Sequence, residues 1–315
     1  AGYGDCKDHV VLMQALLAAR GIRAEGALID WGARYADLPL WMPGQFNHAI
    51  IYLPDYDRYA NPTDPFASFD ALDRRLAGKL VVLASETGQV ARTPASRPEA
   101  NSYTVASRLL LSPDGSIEGE ARLRMSPNLD GRLRAAVSGA SSMRDLAERL
   151  LSGTAEGGFG DVAAGNPRDL EQPFGATITW RSPLGVTFQG TEAFLRVPAG
   201  PDIEPPARLR SKLSPSGTRR TPILADAGEY VWDTTIATAS GLSIIRLPDD
   251  VTLQTSVGRY TARYRREAEG IRVLRQLVVE HDVVQPADYP ELERLLLAPI
   301  EDSRTVLVVA RGQDS

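Results

Sequence analysis

From residue 102 onward, apolar and polar residues alternate in successive segments, which is the pattern of half-buried β-strands. The alternation is clearest at Tyr230–Ala237, Gly258–Glu267 and Ile271–Val279. Turn-forming residues separate many of these segments, for example Ser112-Pro113-Asp114-Gly115. Few helical patterns interrupt the series. This part of the chain therefore predicts β-sandwich-like domains that carry a few helices.

The beginning of the chain has a different pattern, which predicts a buried helix. Residues 10–18 are apolar on almost every side, and Gly21 supplies a C-terminal stop. Upstream, Asp5 can act as the N-cap, and Asp8 three residues later completes a pair resembling a capping box. The predicted helix therefore begins at Cys6.

Cys6 is the only cysteine among the 315 residues. A thiol in the first turn of a helix faces the positive end of the helix dipole and unpaired N–H groups, and both favour the thiolate. The position suits a nucleophile. It also suits a small buried apolar residue, and Cys6 alone does not decide between these two interpretations.

A thiolate nucleophile needs a base, and the chain has three histidines. His9 lies one turn from Cys6 on the same helix, and His281 lies at the end of a charged strand. His48 belongs to the β-rich run 46–53, in which alternation directs its side chain to one face of a sheet. We expect this face to meet the helix that carries Cys6, which makes His48 the predicted base.

A third group should accept a hydrogen bond from the far nitrogen of the imidazole and so fix its tautomer. A hairpin returning from His48 would bring the segment Asn61-Pro62-Thr63-Asp64-Pro65 alongside it. Asn61 is the first candidate, and Asp64, which could also stabilise an imidazolium, is the alternative. Both residues could instead serve only the turn beside the prolines.

These motifs together resemble the bacterial transglutaminase-like superfamily, and more narrowly its envelope proteins that join an amino-terminal β-domain of unassigned function to such a core. The resemblance rests on Gly4-Asp5-Cys6-Lys7-Asp8, Leu16-Leu17, Gly21-Ile22, Phe46-Asn47-His48 and Asn61-Pro62-Thr63. It implies a papain-like α+β core with Cys6 as nucleophile and His48 as base. The third position falls on Asn61, where the family usually has Asp.

The resemblance also implies an organisation of the chain. We expect an α+β, papain/transglutaminase-like core over residues 1–85 and a linker over 86–101. A β-rich domain with helices over 102–198 and a second one with a terminal helix over 207–311 should follow. Only five residues precede Cys6, so the core is expected to be amino-terminally truncated relative to the family. The loop 30–45 carries Trp31, Tyr35, Trp41 and Met42, which could rim a cleft or pack in the core.

Composition narrows the possible functions. The formal net charge of −5 argues against nucleic acid as a partner, and no apolar run is long enough to span a membrane. No P-loop, complete dinucleotide loop or zinc motif is present, so no cofactor or metal is expected.

The predicted function is thiol-dependent acyl transfer on peptide or amide substrates, of the cysteine protease, amidase or transglutaminase type, with a peptide or protein as partner. The alternative is a catalytically inactive transglutaminase-like module that binds or supports other molecules in the cell envelope. The resemblance implies a periplasmic or envelope location in either case.

Overall fold

The structure is a computed structural model, and it describes residues 4–32, 43–69, 71–85, 88–152, 154, 157–202, 219–268 and 270–312. The elements up to residue 92 are α1 (Cys6–Ala18), β1 (Glu25–Ile29), β2 (His48–Leu53), β3 (Arg58–Ala60), β4 (Leu80–Leu83) and β5 (Val90–Arg92).

From residue 102 to residue 196 the described elements are β6 (Ser102–Leu111), β7 (Ile117–Met125), α2 (Pro127–Ser138), α3 (Met143–Leu151), β8 (Phe159–Ala164), β9 (Gly175–Ser182), β10 (Phe188–Gln189) and β11 (Glu192–Arg196). The remaining ones are β12 (Ile223–Leu224), β13 (Gly228–Thr238), β14 (Leu242–Arg246), β15 (Val251–Thr255), β16 (Gly258–Glu267), β17 (Gly270–Val279), β18 (Val283–Val284), α4 (Tyr289–Asp302) and β19 (Val306–Arg311).

The amino-terminal unit is a five-stranded antiparallel sheet in the order β3-β2-β1-β4-β5, with α1 against it. One face of this sheet has its own small apolar core, which is formed by Ala27, Ile29, Ile50, Tyr59, Leu76, Val81 and Leu83. The strand β5 lies inside the stretch 86–101 that the sequence suggested as a linker.

The rest of the chain builds an eight-stranded sheet in the order β15-β16-β17-β13-β6-β7-β9-β8. Its strands pair antiparallel except for β6 and β13, which run parallel. A four-stranded sheet, β10-β11-β19-β14, and the short pair β12-β18 complete this part. The large sheet takes strands from both segments expected as separate β-rich domains, and residues of both share one hydrophobic core.

The two parts of the chain meet through buried polar contacts. Arg74 forms an ion pair with Asp226, with 3.2 Å between Nε and Oδ1. Its Nη1 also donates to the Tyr230 hydroxyl at 3.1 Å. These contacts join the amino-terminal unit to the start of β13.

The expectation of a papain-like α+β core was wrong, because the described structure is mostly β, with several sheets. Even in the amino-terminal unit, the 13-residue α1 is accompanied by five strands. The sequence motif correctly located a helix at Cys6, but the core of this unit is formed by packing on its sheet. Helices are few in the remaining described chain as well, where they cover the larger sheets.

Candidate active site

The helix that carries Cys6 begins as the sequence predicts. Asp5 is the N-cap, and its Oδ1 accepts hydrogen bonds from the N–H groups of Lys7 at 2.8 Å and Asp8 at 3.2 Å. The Asp8 carboxylate in turn accepts from the Asp5 N–H, which completes a capping box. Cys6 is the first helical residue and is half-buried, and its own N–H donates to none of the described residues.

Two contacts define how α1 lies along the sheet. The Gln14 side chain donates to the carbonyl of Ala24, just before β1, and a β-carbon added at Gly26 would touch Val10. From the first contact to the second, the helix position moves by four residues, from Gln14 to Val10, and the strand position moves by two, from Ala24 to Gly26. Both steps are about 6 Å long. One more such step brings Cys6 level with Leu28, at the end of the sheet where β1 finishes and β2 begins with His48.

His48 lies at that end of the sheet but on its other face. Its partner across the strands is Ile29, which belongs to the small core, whereas Gly26 faces α1. Directly opposed residues of antiparallel strands share a face, and neighbouring residues along a strand alternate. Alternation therefore directs the His48 side chain to the face opposite α1, contrary to the expectation from the sequence. The imidazole and Cys6 nevertheless lie at the same end of the sheet.

His48 and Asn61 form a buried pair. The imidazole Nε2 and the Asn61 Oδ1 are 3.0 Å apart, and the two residues are 7% and 5% exposed. The same oxygen accepts a hydrogen bond from the Thr63 N–H at 3.3 Å, which identifies it as the amide oxygen rather than the nitrogen. Nε2 must then carry the proton, so Nδ1 of the neutral ring has a lone pair available to act as a base.

Burial lowers the pKa of His48, and the hydrogen bond with Asn61 offsets part of this effect. The ordinary value is 6.5, so the ring is mostly neutral at pH 7. A neutral imidazole with a free Nδ1 is the form that can remove a proton from a thiol.

The other candidate residues make different contacts. The carboxylate of Asp64 accepts from the N–H of Phe66 at 2.9 Å and makes no described contact with His48, so the geometry favours Asn61 as the partner. Nδ1 of His9 donates to the carbonyl of Asp5 at 2.8 Å, within its own helix end. No hydrogen bond joins Cys6 to either His48 or Asn61 among the described residues.

Trp31 covers the imidazole of His48. The two rings have centroids 4.6 Å apart and planes inclined by 40°. The main chain of Trp31 is held by the side chain of Asn47, which accepts from its N–H at 2.7 Å and donates to its carbonyl at 3.3 Å. The loop that the sequence singled out thus places one aromatic ring at the candidate site, while Tyr35, Trp41 and Met42 lie outside the described residues.

Two basic residues that the sequence reasoning did not identify support Trp31. The buried Lys79 ammonium donates to the carbonyl of Asp30 at 2.7 Å and to that of Gly32, on both sides of the tryptophan. The guanidinium carbon of Arg75 lies 4.9 Å from the Trp31 ring centroid. One signal in the sequence was available, because a lysine at the start of the apolar strand run Leu80–Leu83 is unusual for a buried position.

Within the described ranges, no group of three or more His, Cys, Asp or Glu residues is arranged to hold a metal ion. No helix in the same ranges has both the length and the apolar character needed to cross a membrane.

Comparison with solved structures finds a likeness of fold at low sequence identity. The chain has the fold of a crystal structure described as a "putative protease from Parabacteroides distasonis ATCC 8503", with a TM-score of 0.54 and 12% sequence identity. The match covers 98% of this chain but 44% of that protein, so this chain spans less than half of its length. At this identity the likeness concerns the fold alone.

Sequence comparison adds a partial family match. Residues 203–309 match a family described as "Domain of Unknown Function with solved-structure structure (DUF3858)". No curated protein matches the sequence. These findings show a fold shared with that structure and a match to a family of unknown function over residues 203–309, and they assign no activity to the chain.

Proposed function

We propose that Cys6, His48 and Asn61 form a thiol-dependent acyl-transfer site that acts on peptide or amide substrates. The observation that carries the proposal is the buried hydrogen bond between His48 Nε2 and Asn61 Oδ1, which leaves Nδ1 as the basic atom. The resemblance to the transglutaminase-like superfamily and the protease-like fold of a distant neighbour support the same chemistry. The periplasmic or envelope location implied by that resemblance is part of the proposal.

The proposed reaction follows from the chemistry of these groups. His48 Nδ1 takes the proton of the Cys6 thiol, and the sulfur attacks the carbonyl carbon of the amide. The N–H of Cys6, which has no described acceptor, helps to stabilise the oxyanion at the positive end of α1. The imidazolium then protonates the leaving amine as the C–N bond breaks, and water or a second amine takes the acyl group from sulfur.

A specific observation favours a second candidate function. Cys6 makes no described hydrogen bond with His48, and the two residues lie toward opposite faces of the sheet. If the thiol and the imidazole do not meet in solution, the same fold would serve as a catalytically inactive binding or supporting module.

Alkylation of Cys6 by iodoacetamide distinguishes the two functions, because the thiol is unique and each labelling event is unambiguous. The rate at pH 7, followed by intact mass, is compared with that of N-acetylcysteine and of the His48→Ala variant. An active site predicts faster labelling than the free thiol and a loss of about tenfold or more in His48→Ala, since a paired base maintains the thiolate.

The variants His9→Ala and His281→Ala are matched controls. His9 is engaged with its own helix end, and His281 lies in another part of the chain, so neither should change the labelling rate. Labelling that is no faster than for N-acetylcysteine and is unchanged in His48→Ala would reject the acyl-transfer site. In that case the inactive binding module becomes the better description. If labelling is fast, cleavage of fluorogenic peptide amides tests turnover.

A further inference from the structure

The helix α1 is apolar on almost every side, yet Val10 is its one buried residue. Val11, Leu12 and Leu16 are 63%, 59% and 58% exposed. Val10 faces the sheet, because a β-carbon added at Gly26 would touch it, so these three side chains project from the flanks and the outer side of the helix. Helices that are apolar all round are normally buried on every side. The outer side of α1 is therefore an apolar surface without a cover.

The sheet face beneath α1 is also only partly covered. The helix packs on β2 and β1, while β4 and β5 continue the same face beyond it. Leu28 lies on the face of Gly26 and opposes Val82, which in turn opposes Val90. Leu28 and Val90 are 40% and 56% exposed, and Ala84, which would touch the same added β-carbon at Gly26, is exposed as well. Leu28, Val82, Ala84 and Val90 form the open half-face of this sheet.

The dimensions of the sheet leave room for one more helix beside α1. Neighbouring strands lie about 4.8 Å apart, so the outer strands of a five-stranded sheet are about 19 Å apart. A helix with its side chains is about 10 Å wide. Two helices side by side therefore match the width of the sheet, of which α1 covers about one half.

A second copy of the chain fits this surface better than an isolated helix does. An isolated helix on the open half-face would cover the sheet but leave the outer side of α1 in water. A second copy, related by a twofold axis parallel to α1, brings its own α1 onto the open half-face of the first copy. The same rotation lays its open half-face on the outer side of the first α1. The two helices then form one layer between two sheets, and each is buried on both sides, as its all-round apolar character requires.

We propose that the chain forms a twofold dimer in which α1 of each copy packs on the open half-face of the other. The proposal does not depend on the acyl-transfer function. The 13-residue α1 is about 20 Å long, so a layer of two such helices presents about 400 Å² to each sheet. A standard interface buries about 800 Å² per partner, so this patch is small. We therefore expect a weak dimer that forms in the micromolar range and depends on concentration.

Sedimentation equilibrium measures the association directly. Between about 1 μM and about 500 μM, the mass of the native chain should rise from 34.1 kDa toward twice that value. Leu12→Glu places a charge on the outer side of α1, and Val90→Glu places one on the open half-face. Each substitution occurs twice in a twofold dimer, so each should raise the dissociation constant at least about tenfold.

Phe194→Glu is the matched control, because Phe194 is 58% exposed, as Leu16 is, but lies on β11 in another sheet. It should leave the dissociation constant unchanged. All three positions are exposed, and urea unfolding checks that each variant remains folded. A chain that stays monomeric up to about 500 μM would overturn the proposal and leave a helix of another polypeptide segment as the occupant of this surface. A dimer that persists unchanged in both Leu12→Glu and Val90→Glu, or that Phe194→Glu weakens equally, would overturn it as well.

Discussion

Replacing Asn61 by aspartate should raise the pKa of His48 above its ordinary value, whereas the native protein lowers it. In the native chain, burial holds the pKa of His48 below its ordinary value of 6.5, and a neutral amide is its only described hydrogen-bond partner. Asn61→Asp places a carboxylate at the same position, 3.0 Å from Nε2. The Thr63 N–H remains there to bond with the new carboxylate and to keep it ionised.

The size of the effect follows from Coulomb's law. Two unit charges about 4 Å apart interact by about 4 kcal/mol at the effective dielectric of a protein site. Each pH unit corresponds to about 1.4 kcal/mol, so the gross effect is about three pH units. Desolvation of the new carboxylate at this buried position opposes the attraction, so the net rise in the pKa of His48 is smaller, about one to two pH units. The pKa of His48 should therefore move from below 6.5 to above it.

The reversal also changes how stability depends on pH. In the native chain the unfolded state binds the His48 proton more readily, so the contribution of His48 to stability is complete above pH 6.5 and is lost as the pH falls below it. In Asn61→Asp the folded state binds this proton more readily. The contribution is then present below pH 6.5 and is lost as the pH rises through the new folded pKa.

The assay is an NMR titration of the His48 imidazole C–H resonances in the native chain and in Asn61→Asp. Urea unfolding at pH 5 and pH 8 tests the stability change in the same two chains. A His48 pKa in Asn61→Asp that equals the native value or falls below it would refute the reasoning. It would mean either that residue 61 does not contact the ring or that desolvation exceeds the attraction between the two charges.

Two further changes test the interior contacts by urea unfolding. Asp302→Asn should lower the free energy of unfolding by about 3 kcal/mol or more, because it leaves the buried guanidinium of Arg275 without its counter-ion; the Arg275 Nε lies 2.5 Å from the carboxylate. The control Glu301→Gln, at an exposed neighbouring position, should lower it by less than about 0.5 kcal/mol. Equal losses in the two variants would contradict a stabilising role for the buried ion pair. Lys79→Met should cost about 1–3 kcal/mol, because the carbonyls on both sides of Trp31 lose a donor. It should also reduce the ring-current shift of the imidazole beneath the indole, and an unchanged shift would show that the ammonium does not position that ring.

Local elements of the fold were predictable from the sequence because their signals are local. The N-cap at Asp5 and the stop after residue 20 define α1, and the pattern 143–151 coincides with α3. Likewise the alternating segment 258–267 coincides with β16. In each case the periodicity and the capping chemistry of a few neighbouring residues are sufficient to locate the element.

The arrangement of these elements was not predictable in the same way. The strands β6 and β13 pair in parallel although more than a hundred residues separate them, and alternation gives a strand two faces without naming its neighbour. The papain-like core was inferred from motif order, which fixes residue types around a site but not how many strands surround it. For the same reason the support of Trp31 by Lys79 and Arg75 was missed, since both residues lie more than forty positions from it in the sequence.

His48 is the first residue of β2, and this position determines where the thiol and the imidazole would have to meet in the proposed site. The sheet separates the face that carries the imidazole from the face that carries α1. A histidine two residues further along β2, in place of Ile50, would be fully buried in the middle of the strand, and the sheet itself would lie between it and α1. At the first position of the strand, the ring lies at the end of the sheet rather than in its middle. The acyl-transfer proposal therefore requires the thiol and imidazole to meet at this end, where Trp31 also covers the ring.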